Sequence, residues 1–466
     1  MWYIVLIAGY ILLALTIVVS LLLNGVRPSK TLAWLLAIFT IPVGGMLLYL
    51  LVGRNRRKFK VYSQHRRTPV PGPADSEKWP GGGPSEMIRR IIGINTDFPL
   101  TLHNRAELLK DGQITFERIF KALETARETI HVQYYIFEEG ELADRLLELF
   151  TRKEAQGVEV RLLYDSIGSF SLSKPYLKRL REAGIEPHAF LPFRFGKFLS
   201  SLNYRNHRKI IVVDGKTAFT GGINISDKYL KGDQNLGMWH DMNLMLQGPA
   251  AAHLDTVFLN DWELVTGQHL PLPDPAALPP ELSGSSPAQI LATGPDDDFP
   301  LMEQLFFLLI NNARHHIYIT NPYLIPSQAI QLALQTAALG GVDVRILLSA
   351  RADSRLVTWC IRSYFHRFLK SGIRIYLYPK GFLHSKVITV DDRIATVGTA
   401  NMDNRSFQHN YEVNAVLYDP EIAISLKEDF LSDSRQSLQL DYESFRQRPW
   451  LHQLAEGAAR VLSPVL

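Results

Sequence analysis

His207-Arg-Lys-Ile-Ile-Val-Val-Asp-Gly-Lys-Thr-Ala-Phe-Thr-Gly-Gly-Ile-Asn224 decides how the chain is read, because it returns as His384-Ser-Lys-Val-Ile-Thr-Val-Asp-Asp-Arg-Ile-Ala-Thr-Val-Gly-Thr-Ala-Asn401. His207, Lys209, Asp214, Gly221 and Asn224 recur at the same offsets as His384, Lys386, Asp391, Gly398 and Asn401. Chance agreement at five positions is on the order of one in 20⁵ per placement. A chemical unit has been duplicated. On a strand, residues i and i+2 share a face, so His207 and Lys209 project together while Arg208 points away. Each copy thus presents an imidazole beside an ammonium, followed by an apolar run that buries the strand. Gly221, Gly222 and Gly398 offer places where backbone can pass close to a ligand, and Asn224 and Asn401 add amide donors. One titratable group and two donors per copy suit an anionic oxygen. A zinc site is the competing chemistry, but the pairs lack the Cys, carboxylate or second-His spacing of such sites, so no metal is expected.

The sequence around each copy repeats as well. Gln113 to Glu128 reads as an amphipathic helix, Ile130 to Phe137 as a strand, Leu142 to Gln156 as a helix and Val158 to Tyr164 as a buried strand. The pattern restarts with a helix at Leu301 to Arg314, a strand at His316 to Tyr323, a helix at Gln328 to Ala338 and a strand at Val342 to Leu348. Gly157-Val-Glu-Val-Arg-Leu-Leu163 echoes Gly341-Val-Asp-Val-Arg-Ile-Leu347. Such alternation implies βαβ units and a largely parallel sheet. The expected domains are 101–270 and 301–466, joined by a Pro-rich linker at 271–300.

Upstream, Trp2 to Leu23 and Thr31 to Val52 are apolar runs long enough, at about 1.5 Å per residue, to cross a hydrocarbon core of about 30 Å. A cleaved signal peptide fits less well, since the first run lacks a basic n-region and an A-x-A-like site. Residues 1–53 therefore read as a two-helix transmembrane hairpin. Arg54, Arg56, Arg57, Lys58, Lys60, Arg66 and Arg67 crowd its exit, against Arg27 and Lys30 in the connector, which puts both ends of the hairpin in the cytoplasm. The same charges suit anionic head groups. A basic segment and Pro/Gly-rich linker complete 54–100. The formal charge of +4 over 466 residues is too weak to argue for nucleic acid, and the single Cys360 rules out an intrachain disulfide or a multi-cysteine metal site.

H-x-K-x₄-D followed by glycine and asparagine, twice in one chain, resembles the phospholipase D superfamily. The two N-terminal runs, the doubled domain, Met402-Asp-Asn-Arg-Ser-Phe407 and the closing Arg448-Pro-Trp-Leu451 are together similar to the bacterial cardiolipin synthases. The resemblance implies two similar α/β/α sandwich domains related by a pseudo-twofold axis, with one active site built from both motifs in the bacterial inner membrane. It also implies that His207 is the nucleophile and His384 the general acid, while Lys209, Lys386, Asn224 and Asn401 hold phosphate oxygens. Asp214 and Asp391 belong to the motif but fall on the opposite strand face from the lysines, which makes them scaffold. Glu412, and Asp241 in the first half, match the acidic residues that orient the histidines.

The implied reaction joins two phosphatidylglycerol molecules into cardiolipin with release of glycerol, and one phosphodiester replaces another, so no cofactor is expected. The implied partners are phosphatidylglycerol and other anionic lipids, not nucleic acid. Phe190-Leu-Pro-Phe-Arg-Phe-Gly-Lys-Phe-Leu199 and Tyr376-Leu-Tyr-Pro-Lys-Gly-Phe-Leu383 mix aromatics with cations, as a lipid-entry surface would. Trp450 to Leu466 reads as a further interfacial helix. A hydrolytic phospholipase D, another phosphatidyltransferase, a membrane-tethered nuclease and a non-catalytic lipid-binding protein are the competing functions. Intact motifs in both halves speak against the last.

Overall fold

The structure, a computed structural model, describes residues 2–23, 28–49, 84–96, 98–192, 204–274 and 284–463, with the side chains of residues 4–7, 23, 28–30, 42, 48 and 84 excepted. The described residues form two units, one within residues 2–49 and the other within residues 84–463.

In the first unit a helix spans Trp2–Leu23 without a charged residue. The second apolar run, expected as one span over Thr31 to Val52, is instead broken. A helix over Pro28–Thr40 ends at Ile41, whose φ of −127° is non-helical, and a new helix starts at Pro42–Leu48. The cause is Pro42, which disfavours helical backbone in the residue before it and sits well only in a helix's first turn. Ile17 and Leu21 pack with Ile38, Met46 and Tyr49, and the Trp34 ring meets Tyr49 edge-on at 5.4 Å. The two apolar runs thus fold onto each other. Among the described residues no helix is long and apolar enough to cross a membrane. The basic cluster from Arg54 to Arg67 lies outside the described residues, as does most of the expected linker, although Pro84 and Ser85 already open a helix over Pro84–Thr96.

The second unit is built on one long sheet. The first half supplies β1 (Thr101–Lys110), β2 (Thr129–Tyr134), β3 (Glu159–Asp165), β4 (Glu186–Phe190), β5 (Lys209–Val213), β6 (Thr217–Gly221) and β7 (Met242–Gln247). The second supplies β8 (Ser286–Thr293), β9 (His316–Thr320), β10 (Asp343–Ser349), β11 (Arg374–Tyr378), β12 (Val387–Val390), β13 (Ile394–Gly398) and β14 (Asn410–Leu417). They lie in the order β11-β10-β9-β12-β13-β14-β8-β1-β7-β6-β5-β2-β3-β4, which reads the same from either end once the halves are exchanged, save for a short edge strand, Leu438–Gln439, added beyond β11.

Helices at Glu141–Glu154 and Gln328–Leu339 connect β2 to β3 and β9 to β10, as the alternation predicts. The sheet is mixed, however, and not largely parallel. Of the strands named above, β2, β3 and β4 run parallel to one another in the first half, and β9, β10 and β11 in the second, while the rest pair antiparallel. After these βαβ units each half closes with β5–β6 or β12–β13, hairpins too tight to be anything but antiparallel.

Strand β8 lies inside the passage expected as a linker. Prolines on either side hide it, but Ala288, Ile290, Leu291 and Ala292 are buried and pair β8 with both β1 and β14. The central core there draws on both halves, with Ile210, Leu244 and Leu246 packed among Ile290, Val397 and Val413.

Candidate active site

Each motif is delivered by a strand segment that pairs with the other half. Arg205–Asn206 runs parallel to Asn410–Tyr411, and the His207 N–H donates to the Tyr411 carbonyl at 2.9 Å. Correspondingly, Phe382–Leu383 runs parallel to Trp239–His240, and the His384 N–H donates to the His240 carbonyl at 2.8 Å. This pairing fixes which acid meets which histidine. Nδ1 of His207 lies 2.9 Å from Oε2 of Glu412, and Nδ1 of His384 lies 2.8 Å from Oδ2 of Asp241. The pairs are crossed: each imidazole is held by a carboxylate of the opposite half. With Nδ1 engaged, Nε2 is the nitrogen left for a substrate.

The carboxylates are themselves fixed. Thr399 Oγ1 donates to Glu412 at 2.5 Å and Asn410 Nδ2 at 3.1 Å. Asp241 sits over Gly222, where any Cβ would collide with its carboxylate. Gly398 likewise makes room for Asn414. The motif glycines, expected to admit a ligand, instead admit these polar side chains. Lys209 and Lys386 each donate to the carbonyl of the histidine two residues before, which leaves further N–H donors of each ammonium for an anion.

Burial governs the protonation states. It pushes His207 down to about 4 against the pull of Glu412, and His384 down to about 3 with help from the Lys386 charge. It also lowers Lys209 to about 7, reinforced by Lys386, and Lys386 to about 8. Burial alone would raise the acids, yet Lys386 and His384 hold Asp241 below its ordinary value, and His207 and Lys209 do the same for Glu412. The site therefore holds two neutral imidazoles on two carboxylates, with lysines whose charge is costly until an anion arrives.

Comparison with known proteins shows the family. Residues 119–262 and 307–434 match the family described as cardiolipin synthase, phospholipase D-like domain, and residues 11–54 match the phospholipase D-nuclease N-terminal family. A cardiolipin synthase of Geobacillus kaustophilus is 41% identical over 94% of this chain and 89% of that one. The major cardiolipin synthase of Bacillus subtilis is 36% identical over 94% of each. The chain belongs to the cardiolipin synthase family of phospholipase D-like proteins. The crystal structure of a Haemophilus influenzae phosphatidylserine synthase superposes with a TM-score of 0.62 at 16% identity, covering 82% of this chain and all of that one, which shows the fold.

Two residues of the cardiolipin synthase family motif stand apart from the site. The Asp214 carboxylate accepts the backbone N–H groups of Arg127, Glu128 and Thr129, and Asp391 those of Arg314, His315 and His316. Both lie five residues along the strand from their lysines, about 16 Å away, and both adopt left-handed backbone, φ 51° and 50°. They tie a hairpin turn to the start of β2 or β9 and make no hydrogen bond to His207, Lys209, His384 or Lys386 among the described residues. Asn224 accepts the Ile136 N–H and donates to the Tyr229 hydroxyl at 3.4 Å, whereas Asn401 Oδ1 is buried without a hydrogen-bond partner among the described residues.

Sequence reasoning missed Tyr229, whose hydroxyl lies 3.2 Å from His384 Nδ1. It also missed Tyr135, whose ring meets His207 edge-on at 4.8 Å and lies under the Lys209 ammonium. Neither belongs to a repeated motif, so the sequence offered no signal for them. The expected lipid-entry stretch Tyr376 to Leu383 is corrected too: Tyr376, Phe382 and Leu383 are buried, with Phe382 packed on Trp239 at 4.8 Å. In its counterpart Phe190 is buried and residues 193–199 lie outside the described residues.

Proposed function

We propose that the chain transfers a phosphatidyl group between two phosphatidylglycerol molecules, giving cardiolipin and glycerol. The crossed His207–Glu412 and His384–Asp241 pairs carry this reading, because they set two differently served imidazoles into one site. Nε2 of His207 attacks the phosphorus, and the bond to the departing glycerol oxygen breaks as that oxygen takes a proton from His384. His384 then removes a proton from the hydroxyl of a second phosphatidylglycerol. That oxygen displaces His207 from phosphorus, and both imidazoles return to their starting state.

One phosphodiester is exchanged for another, so the reaction balances without a nucleotide and is reversible. Lys209, Lys386, Asn224 and Asn401 take the non-bridging oxygens, where charge builds in the transition state. Before attack His207 must be neutral, which its burial secures, and His384 must be charged, which the lipid phosphate favours by offsetting the Lys386 charge. A pseudo-twofold axis through the β1–β8 pair relates the halves.

We further propose that residues 1–53 anchor the enzyme as a hairpin in the bacterial inner membrane with the catalytic unit cytoplasmic. The charge-free Trp2–Leu23 helix and its packing against the second apolar run support this. An anchor keeps the site at high effective concentration of lipid acceptor, which favours transfer over hydrolysis. The deciding assay incubates purified protein with phosphatidylglycerol vesicles and EDTA, and cardiolipin plus glycerol is the expected product. Phosphatidic acid as the main product would sink the transfer reading. Labelling of cysteines placed at 26 and 56 in intact cells tests the topology.

A further inference from the structure

The C-terminal helix Trp450–Val461 is inverted in character relative to an ordinary surface helix. Its inward face carries Glu456 and Ala459, both buried against the helix Arg355–Lys370, where His452 also meets Trp359 at 5.1 Å. Its outward face is apolar. Trp450, Leu451, Leu454 and Val461 are 69%, 58%, 62% and 76% exposed and fall within about a third of the helix circumference at 100° per residue. Beside this face opens a cavity of about 270 Å³ lined by Arg367, Arg446, Arg448, Arg460, His366 and Glu456. Glu456 is already neutralised, at 2.7 Å from Arg448 and 3.3 Å from Arg362. Arg367 and Arg460 have no carboxylate within ion-pair distance among the described residues, and Arg446 has only an exposed contact with Glu443 at 3.5 Å.

We propose that this helix and cavity form a docking surface for an anionic phospholipid bilayer, with the apolar face in the acyl-chain boundary and a lipid phosphate in the arginine-lined cavity. Exposed Trp and Leu on one helix face beside concentrated positive charge is the arrangement an anionic interface rewards. A second copy of the chain fits poorly, since a symmetric contact would bring the arginines against one another. Nucleic acid would leave the Trp450–Leu454 face without a role. The surface would hold the catalytic unit against its lipid independently of the N-terminal helices, and it does not rest on the identity of the reaction.

The test uses full-length protein in nanodiscs, with a fluorophore on Leu454→Cys. The native Cys360 is buried and its thiol is pushed up to about 11 by that burial, so labelling goes to position 454. Brominated phosphatidylglycerol should quench the label and brominated phosphatidylcholine should not. Arg367→Gln and Arg460→Gln should each raise the phosphatidylglycerol fraction needed for half-maximal quenching by on the order of fivefold. Inorganic phosphate at the same concentration should not compete. Equal quenching in both lipids, no quenching in either, or full competition by inorganic phosphate would each overturn the proposal. So would a label response that follows protein concentration in detergent, which would mark a contact between copies. Because the readout is independent of turnover, its failure leaves the transfer reading intact.

Discussion

Oε2 of Glu412 lies 2.9 Å from Nδ1 of His207, although 205 residues separate them and they belong to opposite halves. In the proposed mechanism the carboxylate sets the tautomer that leaves Nε2 free to attack, and it would stabilise the charge the imidazole gains as a phosphohistidine. Glu412→Gln keeps the shape and loses the charge. Its kcat for cardiolipin formation should fall on the order of 10²- to 10⁴-fold with little change in KM or melting temperature. Asp241→Asn should behave alike through His384. A parallel loss of stability would mean that these acids only hold the halves together.

Asp214 and Asp391 should respond in the opposite way. Each carboxylate caps three backbone N–H groups at the start of a neighbouring strand, and neither approaches a catalytic side chain. Asp214→Asn or Asp391→Asn should cost roughly 1–3 kcal/mol in denaturant unfolding. Turnover of the folded fraction should stay within a few-fold of wild type. A large fall in kcat at unchanged stability would return these residues to the chemistry.

Gly222 separates the two kinds of effect more sharply. A Cβ at this position would collide with the Asp241 carboxylate, which would then have to leave Nδ1 of His384. Gly222→Ala should therefore lower kcat as far as Asp241→Asn does, and the double variant should be no worse than either single one. Additive losses in that cycle would argue that the two substitutions act separately.

How much of this was open to a sequence reader divides along physical lines. The repeated H-x-K unit, the βαβ alternation and the second half's restart were legible, because strand and helix periodicities are local and the duplication printed them twice. The crossed pairing was not. Asp241 and His384 are 143 residues apart, and only the pairing of Trp239–His240 with Phe382–Leu383 brings them together. Strand β8 was hidden by flanking prolines, and the break at Ile41 was hidden in a uniformly apolar run whose hydropathy does not register the constraint Pro42 places on its neighbour. Tyr376 to Leu383 misled because aromatics beside cations suit a lipid surface and a buried seam between halves equally well.

His240 forms a second link across that seam. Its Nδ1 faces Asp111 at 2.5 Å and its Nε2 faces Asp433 of the other half at 2.8 Å, with Lys110 near Asp433 and the Tyr378 ring stacked at 5.2 Å. Burial would lower this imidazole, but the two carboxylates outweigh it and raise it from 6.5 to about 9. A raised folded-state value means that the contribution is complete below about pH 6.5 and is lost as pH rises through about 9. Unfolding free energy should therefore decline over that window by on the order of 1–3 kcal/mol, and His240→Gln should flatten the decline. An unchanged slope in the variant would assign the loss to other groups.

Proton uptake on anion binding tests the electrostatics of the site. Burial holds His207 and His384 at about 4 and about 3, so both are neutral at pH 7.5, and Lys209 at about 7 is only partly charged. A bound oxyanion reverses the balance, because its charge favours the protonated form of each group around it. Binding of tungstate or vanadate as a phosphate mimic should then take up roughly one proton or more per site, read by calorimetry in buffers of different ionisation enthalpy. Lys209→Arg, which stays charged throughout, should take up less than wild type, and His384→Ala should lose the imidazole's share. Zero uptake would mean that the acid is already protonated in the empty enzyme, and that the lipid phosphate plays no part in arming it.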